Sequence, residues 1–328
     1  MRNSPKVILA GGNGYIGGTT AFALKEAGFE PIILDNFSTS IRGALKGFEV
    51  IETDLTDLPQ TQHAFKKIGQ AAGVIHFAAK ALVPESFKIP GHYYSNNLLS
   101  ALNLAETSKS FGVPIFLHSS SCAVYGIPKQ IPIPETSNLE ASSPYGDTKI
   151  MAEVLLNRYH HMNCLRVVHL RYFNPAGAWP KYGWGEAHEP ETHLIPNLVS
   201  AALQNRPVSL FGNQYPTPDG SCIRDFIHVI DLAEAHVKTL QAMLQGLNVP
   251  LRINVGRGVG SSVLEVIKTG EKVLEKKIQI KIEPAREGDP PQLVADSTLM
   301  KEVLNWMPSR DLSQMLHDDW TWRTSLVK

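Results

Sequence analysis

The stretch SPYGDTK (143–149) puts Tyr145 and Lys149 four residues apart, so a helix through it carries both side chains on one face. A free phenol, with a pKa near ~10, is a poor base at neutral pH. An ammonium held beside it favours the phenolate and makes it able to take a hydroxyl proton. The spacing is common by chance, and on its own it reads as a surface pair. Ser121 is a third candidate. PIFLHSSSCAVYG (114–126) leads an apolar strand out into three serines. A hydroxyl at the carboxyl end of a parallel strand faces the crevice where open α/β sheets bind ligands. Ser121 is thereby placed to bond a substrate oxygen and pass a proton to Tyr145. Ser119 and Ser120 fit better as partners of strand-end backbone groups.

A base of this kind acquires a purpose from the other end of the chain. KVILA (6–10) runs directly into GGNGYIGG (11–18), with glycines at 11, 14 and 17. Gly11 permits a tight turn, Gly14 lets the backbone approach a pyrophosphate, and Gly17 lets a helix pack close to the sheet. The helix start supplies unpaired N–H groups and partial positive charge for that pyrophosphate. Glycine-rich turns without a ligand are common; this one stands between a strand and a helix, as a dinucleotide site requires. Asp35 closes the next strand about 20 residues on, where a carboxylate accepts from ribose hydroxyls and repels a 2′-phosphate. The pattern therefore points to NAD rather than NADP. Arg42 is the nearby residue that speaks against this choice, and a solvated loop carboxylate is the other reading of Asp35. The positive nicotinamide ring of NAD would add to the effect of Lys149 on Tyr145, and Lys149 could also hold the nicotinamide ribose.

The elements that must position these residues follow from apolar patterning. Continuous apolar runs at 6–10, 31–35, 74–79, 114–121 and 165–173 read as strands buried on both faces. Helical stretches lie at 14–28, 93–112 and 145–161. Strands alternating with helices at this spacing predict right-handed βαβ units, hence a Rossmann-type, doubly wound α/β fold with a parallel sheet. After residue 173 the character changes. Residues 174–193 are crowded with Gly, Pro, Trp and charge and read as a long functional loop. Helices at 194–205, 231–245 and 262–275 and strands at 252–256 and 277–284 build a smaller mixed α/β lobe. The expected division is 1–173 for the dinucleotide and 174–328 for the substrate, with parts of 225–258 returning to the first domain.

Lys plus Arg and Asp plus Glu both number 31, so no net charge draws the chain to nucleic acid or an anionic membrane. Any phosphate must be held locally. No run approaches the ~20 apolar residues of a membrane helix, and the N-terminal apolar run is too short for a signal peptide. Cys122, Cys164 and Cys222 lie far apart, in no metal-ligand spacing, and read as reduced thiols of a cytoplasmic protein.

Taken together, GGNGYIGG, ILDNFSTS (33–40), VIHFAA (74–79), YYSNN (93–97), SSSCAVYG (119–126), SPYGDTK, LRYFNPAGA (170–178), FGNQYPTPDGSCIRDFIHVIDLA (211–233) and REGD (286–289) closely resemble the extended short-chain dehydrogenase/reductase family, in its branch of NAD-dependent sugar-nucleotide epimerases. The resemblance implies a cofactor site of Gly11, Gly14, Tyr15, Ile16, Gly17, Asp35, Asn36, Ser40, Asp54, Leu55, Phe77, Ala78, Ala79, Asn96, Tyr145, Lys149 and Tyr172, with Asp54 and Leu55 at the adenine and Asn96 a buried polar contact. It makes Ser121, Tyr145 and Lys149 the catalytic residues. Phe173, Asn174, His193, Leu194, Phe211, Arg224, Arg286, Asp289 and Leu293, with Ser121 and Tyr145, become the UDP-sugar contacts. Planar arginine donors suit a dianionic diphosphate, although an exposed ion pair is the plainer reading of Arg286. The resemblance also implies a homodimer built through the helices of 93–111 and 145–161.

Three positions depart from the family pattern. A lysine expected soon after VIHFA is Ala81 here, with Lys80 one residue off. His193 replaces an asparagine before Leu194. Leu293 stands where an aromatic would exclude an N-acetyl group and a small residue would admit one. The implied reaction is reversible C4 epimerisation of a UDP-hexose, UDP-glucose and UDP-galactose, through a 4-keto sugar. A 4,6-dehydratase would need an Asp-Glu pair where Cys122 and Ala123 stand. Epimerisation of another UDP-sugar stays open, and a non-catalytic NAD-sensing regulator is the reading from a different class.

Overall fold

The computed structural model describes residues 4–286 and 288–326. In chain order, β1 (Lys6–Ala10), α1 (Tyr15–Glu26), β2 (Glu30–Asp35), β3 (Glu49–Glu52), α2 (Leu58–Ile68), β4 (Gly73–His76), α3 (Val83–Lys88), α4 (Pro90–Ser110), β5 (Ile115–Ser121), α5 (Pro144–His161) and β6 (Arg166–Tyr172) alternate as the patterning predicts. Beyond them come β7 (Asn174–Ala176), α6 (Leu194–Gln204), β8 (Val208–Phe211), β9 (Ile223–His228), α7 (Val229–Leu244), β10 (Arg252–Val255), β11 (Gly260–Ser262), α8 (Val263–Val273), β12 (Ile280–Glu283), β13 (Gln292–Leu293), α9 (Thr298–Leu304) and α10 (Leu312–Leu326).

The chain divides into two compact units. One comprises 1–126, 139–171 and 233–253; the other comprises 127–138, 172–232 and 254–328. The second unit thus takes a segment, 127–138, from within the first 173 residues. The seven-stranded sheet runs β10-β6-β5-β4-β1-β2-β3. Its central strands are buried along their length, as parallel strands covered on both faces must be. β1 pairs in parallel with β2 (Leu9↔Ile33) and with β4 (Leu9↔Ile75). Chain order therefore reverses between β1 and β4, and ligands in such sheets bind at the carboxyl ends beside that reversal. The helix 90–110 begins earlier than its apolar pattern, at Pro90, whose fixed φ suits a first helical turn. Residues 252–255, within the 225–258 span from which parts were expected to return to the first domain, form β10 at the edge of this sheet.

Helix α5 starts where it does because Ser143 caps it, its side chain accepting from Gly146 N, with Pro144 in the first turn. The cap fixes Tyr145 at the mouth of the helix. In the other unit β9 is central, pairing with β7 and β13 in parallel and β11 antiparallel, while β8 and β12 form a parallel pair. Leu198, Val199, Val266, Ile267, Met315 and Leu316, from α6, α8 and α10, make much of its core. A Ser262–Glu265 capping box starts α8. The long loop 174–193 holds one short strand, β7, and a helical turn at Pro180–Tyr182.

Candidate active site

At Gly11 and Gly17 the glycine turn is built from close backbone contacts that leave no room for a side chain. Gly11 has φ +77°, and a Cβ there would lie 2.5 Å from Ala78 N. A Cβ on Gly17 would lie 2.5 Å from Gly11 O and 2.7 Å from Gly12 Cα. Gly14 differs: its Cβ would meet only Gly11 O, at an ordinary 3.6 Å. The protein's own packing does not require glycine at position 14, whereas a group lying over the turn would. No side chain caps α1 and its first turn holds no acid, so the positive end of the helix dipole there suits a pyrophosphate.

Asp35 is 8% exposed. Its two oxygens accept from Asn13 N (3.0 Å), Phe37 N (2.9 Å) and Ser40 Oγ (3.0 Å), which orients the carboxylate at the end of β2. Asn36 accepts from Ser38 N in a local turn. Arg42 is spoken for: its guanidinium forms a two-pronged pair with Glu52 at 2.6 and 2.7 Å and lies over the Phe37 ring. Glu52 thus offsets the charge of the cation which could have favoured a 2′-phosphate. Asp54 accepts from Thr56, and Leu55 is buried with its carbonyl accepting from Asn103. Phe77 packs on His236, and Ala78 lies against the glycine turn, followed by the half-buried Ala79. Asn96, expected as a buried contact, is half-buried and donates to Asn97.

Asn97 is the residue the sequence reading passed over. It is 3% exposed, accepts from Lys80 N, and donates to Lys80 O and to Thr148 Oγ1. It thus clamps the segment after β4 to α5 between Tyr145 and Lys149. Its one signal was a second Asn beside Asn96. Lys80 is held by its backbone, and Ala81 is exposed.

On α5, Tyr145 and Lys149 are both nearly buried, and the ammonium lies 5.9 Å from the Tyr145 ring centre. Lys149 Nζ donates to Ser119 O at 2.8 Å, two residues before Ser121. Ser121 Oγ accepts from Ala123 N, which turns the chain out of β5. Burial lowers the Lys149 ammonium to about 8, and Glu153 opposes the drop. His76 on β4, His118 on β5 and His169 on β6 form a buried ladder of imidazoles. Burial first, and then neighbouring positive charge, lowers His76 to about 3 and keeps His118 well below its usual range. These rings are neutral, so Lys149 is the positive charge beside Tyr145.

In the second unit, Phe173 N donates to Val255 O, Asn174 pairs with Phe226 across β7 and β9, and the half-buried Tyr172 ends β6. Arg224 forms an ion pair with Asp289 at 2.5 Å and stands opposite Leu293 in the β9–β13 register. Leu293 is 8% exposed. Arg286 lies over the Phe211 ring at 4.0 Å, so these two expected contacts come together and Arg286 makes a stacked rather than a purely ionic contact. His193 precedes Leu194 at the start of α6 and bonds Glu191 through Nδ1 at 2.8 Å. Among the described residues no His, Cys, Asp and Glu group is arranged to hold a metal ion, and no helix is long and apolar enough to cross a membrane.

Residues 7–256 match the model of the NAD dependent epimerase/dehydratase family. The chain is 39% identical over 317 residues to a UDP-glucose 4-epimerase of Rhizobium leguminosarum bv. trifolii, covering 96% of each. Among solved structures it resembles UDP-glucose 4-epimerase from Brucella ovis in complex with NAD, with TM-score 0.91, 37% identity, and 97% and 98% of the two chains covered. It also resembles the UDP-Glc/GlcNAc 4-epimerase from Campylobacter jejuni, with TM-score 0.83, 35% identity, and 98% and 100% covered.

Proposed function

The chain belongs to the NAD dependent epimerase/dehydratase family, and from that premise we propose that it catalyses the reversible C4 epimerisation of UDP-glucose and UDP-galactose with NAD as its cofactor. The observation that carries this reading is the Tyr145–Lys149 pair on one face of α5, its ammonium anchored on Ser119 O beside Ser121. When bound, NAD supplies a reversible hydride acceptor for C4 of the sugar. Its pyrophosphate would lie on the glycine turn and α1, and its adenosine ribose on Asp35. Tyr145 takes the proton of the 4-hydroxyl, Ser121 hydrogen-bonds the same oxygen, and Lys149 stabilises the phenolate. Arg224 and Arg286 hold the diphosphate as planar donors. The anchored 4-keto sugar can then turn over and receive its hydrogen on the opposite face, which requires a firm grip on the nucleotide and a loose one on the hexose.

A second substrate class is favoured by one residue. Leu293 is smaller than an aromatic, lies next to Arg224 in register, and leaves more space for a 2-N-acetyl group than an aromatic would. Incubating the purified protein with UDP-galactose and, separately, UDP-N-acetylglucosamine, and reading the products by NMR, tests both. We expect UDP-galactose to yield UDP-glucose without added NAD. Conversion of neither sugar would overturn the enzyme reading.

The reading extends to assembly and setting. Leu99 on α4 and Met151 and Val154 on α5 are 42%, 46% and 53% exposed, although the two helices pack together. Such an apolar strip is suited to a second copy of the chain. Light scattering should give a mass near twice the 36.1 kDa of one chain, and Val154→Glu should shift it toward the monomer; a monomeric unaltered protein would contradict a homodimer. Free thiols at Cys122, Cys164 and Cys222 suit the reducing cytoplasm, where galactose metabolism would use this reaction.

A further inference from the structure

We propose that Glu153 is the positioning residue of the Tyr145–Lys149 couple: one buried carboxylate ties α5, which carries the couple, to the ends of β5 and β6 and sets a negative charge one turn from Lys149. The proposal rests on reading Tyr145 and Lys149 as the catalytic pair.

Glu153 lies one turn beyond Lys149 on α5 and is 1% exposed. Its Oε1 accepts from Ser120 Oγ at 2.6 Å and from Arg171 Nε at 2.8 Å, and its Oε2 accepts from Arg171 Nη2 at 2.6 Å. Ser120 stands between Ser119, whose carbonyl holds Lys149, and Ser121. Arg171 immediately precedes Tyr172 at the end of β6. It is 1% exposed, the largest of the fully buried side chains, and its Nη1 donates to Tyr125 OH at 3.0 Å. A buried arginine is costly unless paired and hydrogen-bonded. Here the pair is placed where it locks the ends of β5 and β6 to the helix of the catalytic base. A hydrophobic pair could have filled the same volume, so the charge itself has a use.

The charged and titratable groups facing this spot come from four strands, the turn after β5 and one helix. They are His76 on β4, His118 on β5, Tyr125 in the turn Cys122–Tyr125, His169 and Arg171 on β6, Arg252 on β10 with Nε 3.6 Å from Glu153, and Tyr145 and Lys149 on α5. The three imidazoles are neutral and the two arginines positive, which leaves Glu153 as the negative group acting on Lys149.

Glu153→Gln keeps the shape and removes the charge. The alkaline limb of kcat, set by loss of the Lys149 proton, should then move down by about one pH unit, with kcat at pH 8 falling about fivefold and KM for UDP-galactose changing less than about twofold. A readout independent of turnover is the melting temperature of each parent minus that of its Lys149→Met derivative, followed against pH. Lys149 has its folded value near 8, below the 10.5 of a free lysine, so its neutral form is the better accommodated one. Its contribution to stability is full above the unfolded value and is lost as pH falls toward the folded one. The lower edge of that window should sit near pH 8 in the unaltered protein and lower in Glu153→Gln. If Glu153→Gln fails to fold because Arg171 is left unpaired, Glu153→Gln with Arg171→Gln carries the same two measurements, with shifts in the same direction but smaller, since losing the Arg171 charge offsets part of losing that of Glu153. An unmoved limb and edge would make Glu153 merely structural. Return of both to their original places in the double variant would assign the effect to the unpaired arginine instead. Both outcomes overturn the proposal. Failure of the unaltered protein to convert any UDP-sugar would sink the epimerase reading while leaving the melting window to judge Glu153.

Discussion

Tyr145→Phe should lower kcat by roughly 10³-fold, the scale of losing a positioned acid–base group. The ring stays in place, packed beside Lys149 and nearly buried, so the fold should hold. KM for the UDP-sugar should change little, because on the proposed reading Arg224 and Arg286, not Tyr145, would hold the diphosphate, and the protein should still purify with NAD. The comparison variant is Lys149→Met, which removes both the ammonium and its bond to Ser119 O. It should lose at least as much activity and, unlike Tyr145→Phe, should also loosen the cofactor. Steady-state kinetics with a count of bound NAD separates the two. A Tyr145→Phe protein with near-normal kcat would remove Tyr145 as the base.

The second large effect lies in the glycine turn and distinguishes two reasons for a glycine. Gly17→Ala sets a methyl 2.5 Å from Gly11 O and 2.7 Å from Gly12 Cα. Neither backbone atom can swing away, so the loss in stability should be about 3 kcal/mol, at the upper end for overpacking. Gly14→Ala meets nothing nearer than 3.6 Å and should leave thermal stability of the cofactor-free protein nearly unchanged. Its cost should appear in NAD affinity, by about tenfold or more, equivalent to about 1.4 kcal/mol. Melting curves after stripping NAD, and titration with NAD, check the pair. If both variants lose stability alike, the open face of Gly14 is not where the cofactor lies.

The sequence made some of this visible because the signal was local. Continuous apolar runs marked β1, β2, β4, β5 and β6, since a strand buried on both faces has no polar side to interrupt it. The glycine turn and the Tyr145–Lys149 spacing were equally readable. Strand β3, EVIE, was hidden because it is four residues long, charged at both ends and only half-buried. The helix α2 was missed although Asp57 caps it, its apolar residues being few. Membership of residues 252–255 in the large sheet depends on pairing with β6, some 80 residues earlier, which no local pattern records. The same holds within the site. Asn97 reaches Lys80 and Thr148, and Glu153 reaches Ser120 and Arg171, across sequence separations that only the folded chain closes.

The most direct test of the central claim uses UDP-galactose carrying deuterium at C4, incubated with the purified protein and no added cofactor. If Tyr145 serves a sugar oxidised and reduced within one bound complex, the UDP-glucose formed will retain deuterium at C4, with none lost to water. Formation of UDP-glucose with the label washed out into solvent, or no UDP-glucose at all, would contradict it.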